Sequence, residues 1–129
     1  MNGMIGIIGG TGLEDPTLLT HAKEITVSTP YGDPASPITV GEIRGKKVAV
    51  LARHGRRHQF SPTHVNYRAN IWALKQLGCH RVLASTACGS LREEMRPGEL
   101  VIADNFIDWT RHRTSTFFEK DRVAHIPMA

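Results

Sequence analysis

The sequence predicts an α/β domain in which a mixed β-sheet is flanked by helices. Three observations lead to this fold class. Short apolar runs rich in β-branched residues recur along the chain, one segment between them has helical periodicity, and two runs are joined by a tight turn. The 129 residues correspond to one domain, and a composition of 40% hydrophobic and 22% charged residues is typical of globular proteins.

The first half of the chain predicts strands and a hairpin. The run MIGII (4–8) predicts a buried strand that enters the glycine turn GGTG. EDPTLL predicts a loop or short helical turn, and AKEITV a possible edge strand. Three prolines in TPYGDPASP exclude regular structure there. The segment ITVGEIRGKKVAVLA predicts a hairpin with strands at 38–43 and 47–52 and a turn at 44–46.

The clearest helix is predicted within THVNYRANIWALKQLG (63–78), and Gly78 is a C-cap signal. Its apolar residues fall at helical spacing, at Val65, Ala69, Trp72, Ala73 and Leu77. RVLAS (81–85) then predicts another buried strand, 91–99 a short helical or turn segment, and 100–108 a further strand. The polar segment 109–129 permits no assignment.

Composition narrows the function classes. A formal net charge of +4, with seven histidines besides, suits a small anionic ligand and is weak evidence for nucleic acid. Two cysteines provide no disulfide framework, which fits a reducing compartment. The N-terminus lacks the basic region of a signal peptide, and no apolar run approaches the roughly 20 residues of a membrane span. We expect a cytoplasmic protein with no nucleic-acid or membrane partner.

Chemistry-bearing residues follow three of the predicted strands, as GGTG (9–12), RHG (53–55) and TACG (86–89). Ligands of open α/β sheets bind outside the carboxyl ends of the strands. Glycines there let backbone N–H groups approach an anion closely, while hydroxyl, guanidinium and imidazole groups donate hydrogen bonds. The pattern predicts a compact phosphate site. Its candidate side-chain donors are Thr11, Arg53, His54 and Thr86.

Each of these motifs is weak alone. GGTG is not a P-loop because no G-K-[ST] follows, and Asp15 occupies the third glycine position of a dinucleotide fingerprint. A tight turn and a solvated arginine remain simpler explanations of GGTG and of Arg53. His54 and His58 are four apart, but the adjacent arginines would repel a cation, so we predict no metal site. Cys88 is more typical of a buried small hydrophobe than of a nucleophile.

Longer blocks carry a resemblance to a known family. IGIIGGTGLEDP, TPYGDPASP, LARHGRRHQFSPTHVNYRANIWALKQLGC, STACGSLREEMRPGELVIADNFID and HIPMA together resemble the methylthioadenosine branch of the purine nucleoside phosphorylase family. The resemblance implies the family's α/β fold and reversible phosphorolysis, in which phosphate attacks the anomeric carbon of a purine nucleoside. For this branch, 5′-methylthioadenosine would give adenine and 5-methylthioribose 1-phosphate. It implies a homotrimer or higher homo-oligomer and no cofactor besides the co-substrate phosphate.

The resemblance also implies residue roles. The positions that match phosphate-binding residues are Thr11, Arg53, His54, Thr86 and, through its backbone, Ala87. Two other residues would lie near the substrate: His125, reaching a neighbouring subunit's site, and His58. No residue of this chain is implied as a catalytic nucleophile, because phosphate itself attacks.

The family's chain is considerably longer, and its later part carries the purine-binding aspartates, a methionine under the ribose and a further phosphate-binding threonine. We therefore expect residues 1–129 to form the N-terminal part of a single nucleoside phosphorylase domain whose C-terminal half is missing. On this expectation the sheet is short of strands, the base pocket is absent, and the 129-residue chain alone has no phosphorylase activity.

Two alternatives stay open. The same chemistry could act on inosine, guanosine or methylthioinosine, because the discriminating residues would lie in the later half. A protein of another class could use the basic cluster 53–58 as a non-enzymatic oxyanion- or nucleic-acid-binding module. RNA binding with a steep salt dependence would favour that class, whereas the lack of aromatic residues interleaved in the cluster argues against it.

Overall fold

A computed structural model describes residues 3–10 and 15–125 of the chain. Its elements are β1 (Met4–Gly9), a 3₁₀ turn (Pro16–Leu18), β2 (Thr20–Ile25), β3 (Ile38–Ile43), β4 (Lys46–Ala52), α1 (Tyr67–Gln76) and β5 (Cys79–Ala84). The strands form one sheet in the order β2-β3-β4-β1-β5. The predicted α/β class and mixed sheet are confirmed.

The sheet combines an antiparallel side with a parallel side. β3 and β4 form the predicted hairpin, with β4 beginning one residue earlier than expected, at Lys46. Arg44 and Gly45 make its turn with φ of 47° and 73°, the left-handed values that two-residue hairpin turns need. β2 pairs with β3 as the predicted edge strand. β1 lies between β4 and β5 and runs parallel to both, so the carboxyl ends of these three strands lie at one edge.

The helix α1 covers one face of the sheet. Leu74 and Ala73 of the helix belong to the same buried cluster as Ile8, Ala49 and Leu51 of the strands. The helix begins after Asn66, whose side chain caps the Ala69 amide. It ends before Gly78, whose φ of 85° fits the predicted C-cap. The helical spacing is therefore confirmed, although the helix is shorter than 63–78.

The opposite face carries a second apolar cluster in which Leu19 packs against Val48 and Val50. No helix of the described ranges covers this face, and none is long and apolar enough to cross a membrane.

Residues 91–99 form turns, as one of the two predicted possibilities, with the Met95 amide donating to the Arg92 carbonyl oxygen and the Glu99 amide to that of Arg96. Two expectations for the later half were wrong. Residues 100–108 form no strand, because a strand needs a neighbour to satisfy its backbone and none of the described strands pairs with this segment. β5 exists, but it is not buried: Leu83 is 62% exposed. Within the described residues β5 has one neighbouring strand, so its apolar run lacks the cover that an interior strand has.

Candidate anion-binding site

The carboxyl ends of β4, β1 and β5 are aligned by backbone hydrogen bonds that continue beyond the strands. The Arg53 amide donates to the carbonyl oxygen of Gly9 at 3.1 Å, and the Ser85 amide donates to that of Ile8 at 3.1 Å. Parallel pairing on both sides of β1 therefore places Gly10, Arg53 and Ser85 side by side. The structure thus brings together the strand ends that the sequence singled out.

A cavity of about 480 Å³ opens at this edge of the sheet. It is lined by Gly10, Arg53, His54, His58, Ser85, Thr86 and Ala87. Among the described lining residues, the ionisable groups are one guanidinium and two imidazoles, and none is a carboxylate. The charge and the donor groups of this cavity therefore favour an anionic ligand.

The Arg53 side chain is held in one orientation. Its Nη1 donates to the Ser85 carbonyl oxygen at 2.8 Å, and its Nε donates to Nε2 of His54 at 3.3 Å. A Cβ on Gly10 would lie 3.2 Å from Nη2, so the guanidinium packs closely over the end of β1. Nη2 has no acceptor among the described residues. The guanidinium therefore keeps donors for a ligand while its plane is fixed.

His54 is oriented by its own loop. Its Nδ1 lies 2.8 Å from the carbonyl oxygen of Phe60, and this contact requires the proton on Nδ1. In the neutral ring Nε2 is then the acceptor, as the hydrogen bond from Arg53 requires. Neutral His54 orients Arg53, and donation from Nε2 to an anion would require the doubly protonated ring.

A tight turn of the chain holds His54 in place. The amide of Gly55 donates to the carbonyl oxygen of Ala52, and that of His58 donates to Gly55. Gly55 has a φ of 76°, and a Cβ there would lie 2.4 Å from the Gln59 side chain. The backbone angle favours glycine at this position, because other residues are strained there, whereas the end of the flexible Gln59 side chain could move aside.

The five basic residues of 53–58 do not act as one cluster. Arg56 pairs with Glu24 at 2.5 Å and donates to the Thr39 hydroxyl at 3.3 Å, so it ties the loop to β2 and β3. Both members of the ion pair are about half exposed, and such pairs contribute about 0–1 kcal/mol. Arg57 is exposed and does not line the cavity. The His58 ring stacks on His54, with centroids 5.8 Å apart and planes at 16°.

The other residues predicted for the site differ in whether they line the cavity. Thr86 and Ala87 line the cavity, whereas Thr11 lies outside the described residues. His125 is exposed and is not among the cavity's lining residues. Within 3–10 and 15–125, no three His, Cys, Asp or Glu side chains converge as metal ligands would.

The expectation that Cys88 is buried was wrong. Its thiol is exposed, because it follows β5 in a segment that no described element covers. Cys79 is the partly buried cysteine, and burial raises the pKa of its thiol above the ordinary value. The Cys79 thiol is therefore protonated at neutral pH and is a poor nucleophile.

Ser85 is the site residue that the sequence reading missed. Its Oγ accepts from the Gly10 amide at 3.3 Å, and its carbonyl oxygen accepts from Arg53, so it contacts both neighbouring strand ends. The available signal was a serine at the end of the apolar run RVLAS, directly before Thr86. That position predicts only the last residue of a strand.

A second layer of polar contacts supports the end of β4. The Ser36 hydroxyl accepts from the Ala52 amide at 3.0 Å, one residue before Arg53. The side-chain oxygen of Asn70 on α1 accepts from the Ala35 amide at 2.8 Å. The helix is thus connected through the loop before β3 to the strand end that presents Arg53.

A cavity lined by basic and hydroxyl side chains lies at the carboxyl ends of three strands, where the sequence resemblance implies a phosphate site. Residues 4–129 match the phosphorylase superfamily, and the chain belongs to this family.

The curated relatives include S-methyl-5′-thioadenosine phosphorylases. The chain is 56% identical over 125 residues to an S-methyl-5′-thioadenosine phosphorylase of Hyperthermus butylicus, covering 97% of this chain and 46% of that protein. It is 52% identical over 129 residues to the enzyme of the same name from Drosophila melanogaster, covering 96% of this chain and 45% of the relative. The chain therefore spans about half the length of the curated relatives that it matches.

Solved structures agree with the sequence relatives. A methylthioadenosine phosphorylase from an Antarctic soil metagenomic library superimposes with a TM-score of 0.90 at 46% identity, over 99% of this chain and 45% of the other. A methylthioadenosine phosphorylase from Schistosoma mansoni, solved with adenine, gives a TM-score of 0.91 at 44% identity, over 98% and 48%.

Proposed function

We propose that the protein is a purine nucleoside phosphorylase that converts 5′-methylthioadenosine and phosphate into adenine and 5-methylthioribose 1-phosphate. The observation that carries the proposal is the cavity where Gly10, Arg53 and Thr86 meet at the ends of three parallel strands. The names of the relatives support the choice of substrate.

The proposed reaction needs an anion held beneath a developing cation. An oxygen of phosphate forms a bond to the anomeric carbon while the bond from that carbon to the purine nitrogen breaks, through an oxocarbenium-like state. The bonding electrons leave with the purine, and the proton of hydrogen phosphate ends on the purine. A positioned phosphate supplies both the nucleophile and electrostatic stabilisation of the cation. No protein nucleophile takes part.

In this scheme the ends of β4 and β5 contribute donors to phosphate. Arg53 offers Nη2, which has no acceptor among the described residues, and Thr86 its hydroxyl and Ala87 its backbone amide. Thr11, outside the described residues, would add a hydroxyl. His54 orients the guanidinium through Nε2. His58 and His125 are proposed to lie near the nucleoside, His125 from a neighbouring subunit.

The proposal extends to assembly and location. The family resemblance supports a homotrimer or higher homo-oligomer in the cytoplasm, acting without a cofactor. Sedimentation velocity of the full-length protein tests the assembly, and a monomer would contradict it.

The activity is tested on the full-length protein with 5′-methylthioadenosine, with and without inorganic phosphate, by chromatographic detection of adenine. We expect adenine release that depends on phosphate and yields a sugar phosphate. Release without phosphate would identify a hydrolase instead.

A substrate panel separates the alternatives. We expect a higher kcat/KM for 5′-methylthioadenosine than for inosine, guanosine or methylthioinosine; the reverse order would favour a 6-oxopurine phosphorylase. Fluorescence anisotropy with labelled RNA tests the binding-module alternative. Tight binding that weakens steeply with salt, in a protein without phosphorolysis, would support that alternative.

A further inference from the structure

The Ser85 hydroxyl lies at the edge of the candidate site and donates to no acceptor in the described part of the chain. A serine hydroxyl can donate one hydrogen bond and accept two. Here Oγ accepts from the Gly10 amide at 3.3 Å, and the hydroxyl proton has no acceptor among the described residues. Ser85 is half-buried and lines the same cavity as Arg53 and Thr86. Its oxygen is thus positioned by the protein while its proton is available to a ligand.

The position of Ser85 relative to Arg53 also favours a contact between the Ser85 hydroxyl and a bound anion. The carbonyl oxygen of Ser85 holds Nη1 of Arg53 at 2.8 Å, so one residue both aligns the guanidinium and presents a hydroxyl beside it. A hydroxyl that accepts from a backbone amide is polarised and becomes a better donor. An anion between the two groups would receive a charged donor and a neutral donor.

Ser36 provides an internal comparison. Its hydroxyl also accepts from an amide at a strand end, that of Ala52 at 3.0 Å, but it donates its proton to the Pro37 carbonyl oxygen at 2.8 Å. Ser36 is buried and does not line the cavity. The Ser36 proton is used within the fold, whereas the Ser85 proton has no acceptor among the described residues.

We propose that the hydroxyl of Ser85 donates a hydrogen bond directly to the phosphate bound at the three strand ends. This inference rests on the proposed phosphorylase function and adds a binding residue to it. Ser85 then contributes in two ways: its carbonyl oxygen orients Arg53 and its hydroxyl contacts the anion.

The test uses three substitutions in the full-length protein, Ser85→Ala, Ser85→Thr and Ser85→Cys, with Ser36→Ala as the matched control. Calorimetry with inorganic phosphate gives the affinity, and steady-state assays give KM for phosphate and for the nucleoside. Loss of a hydrogen bond to a charged group should weaken phosphate binding in Ser85→Ala by about 10-fold or more. Ser85→Thr keeps the hydroxyl, so its phosphate affinity should stay within about 2-fold of wild type. Ser85→Cys introduces a weak donor of similar size, so its phosphate affinity should lie between those of Ser85→Thr and Ser85→Ala.

The control and the kinetics separate contact from folding. Ser36→Ala should lower the melting temperature but weaken phosphate binding clearly less than Ser85→Ala does, because the Ser36 hydroxyl supports the end of β4 without lining the cavity. The nucleoside KM should change far less than the phosphate KM in Ser85→Ala. If Ser85→Ala does not fold, the other two variants provide the test. Tighter phosphate binding by Ser85→Thr than by Ser85→Cys supports the proposal, and equal binding overturns it.

Two negative results are distinguishable. If wild type binds phosphate and phosphorolyses the nucleoside, but Ala, Thr and Cys at position 85 bind phosphate equally, the Ser85 inference is overturned and the function stands. If wild type neither binds phosphate nor phosphorolyses, the proposed function and the inference both fall.

Discussion

Nη1 of Arg53 donates to the carbonyl oxygen of Ser85 at 2.8 Å, joining the ends of β4 and β5 across the end of β1. The second contact of this guanidinium is to an imidazole nitrogen of His54 at 3.3 Å. Both acceptors are neutral, whereas buried arginines are commonly held by carboxylates. Because no carboxylate among the described residues pairs with it, the positive charge of Arg53 remains available to an anion.

Replacing Arg53 should therefore act on phosphate. We expect Arg53→Ala to raise the phosphate KM by about 10-fold or more, since charged hydrogen bonds are lost, and to change the nucleoside KM much less. Arg53→Lys should recover little, because an ammonium group cannot form the fork that spans Ser85 and His54.

Arg57→Ala is the matched control for Arg53, because Arg57 belongs to the same basic run but is exposed and does not line the cavity. Steady-state kinetics of the full-length variants measure both KM values. Equal effects of Arg53→Ala on phosphate and nucleoside would count against the phosphate role.

Glycine should be required at position 10, because the Arg53 guanidinium packs closely against it. In Gly10→Ala the new methyl group would lie 3.2 Å from Nη2 of Arg53, and the guanidinium could retreat only by loosening its bonds to Ser85 and His54. We expect the phosphate KM to rise by several-fold, on the order of the loss of one hydrogen bond.

Gly45→Asn is the control for Gly10, because Gly45 lies in the β3–β4 turn at the opposite end of β4 from the cavity, a Cβ there meets no described atom within 4 Å, and Asn tolerates its φ of 73°. It should leave the phosphate KM unchanged. An unchanged phosphate KM in Gly10→Ala would show that Arg53 is not held as closely as the structure indicates.

Local patterns predicted much of this architecture. Glycines in local sequence patterns predict the hairpin turn at Gly45 and the end of α1 at Gly78. The polar residues that directly follow apolar strands identify Arg53 and Thr86 as site candidates. These features depend on residues close in sequence, or on the rule that parallel strands present their carboxyl ends together.

The rest depends on partners far along the chain. The apolar character of 100–108 is that of a strand, but pairing depends on a neighbour that the segment itself does not encode. The role of Ser85 depends on a carbonyl oxygen and a hydroxyl that reach residues 32 and 75 positions away. The tautomer of His54 is set by the Phe60 carbonyl oxygen, which residue type alone does not reveal.

Asn70 should stabilise the fold from within α1. It is 1% exposed, and its Oδ1 accepts from the Ala35 amide, while its Nδ2 has no partner among the described residues. Asn70→Ala leaves the Ala35 amide buried without an acceptor and opens a void. We expect the free energy of unfolding to fall by about 1–3 kcal/mol, measured by urea denaturation of the full-length protein.

Gln76→Ala, an exposed change on the same helix, serves as the control for Asn70 and should stay within about 0.5 kcal/mol of wild type. Equal stability of the two variants would mean that the bond to Ala35 contributes nothing measurable.

The protonation pattern of His54 offers a direct spectroscopic test of the site. With Nδ1 2.8 Å from the Phe60 carbonyl oxygen and Nε2 accepting from Arg53, the neutral ring should carry its proton on Nδ1. Long-range ¹H–¹⁵N correlation spectra of the phosphate-free full-length protein report the tautomer, and His54→Asn assigns the signal. We also expect His54→Asn to raise the phosphate KM less than Arg53→Ala does, because Asn removes the orienting acceptor and leaves the guanidinium charge. A neutral ring protonated on Nε2 would contradict the orienting role and would instead favour direct donation from His54 to the anion.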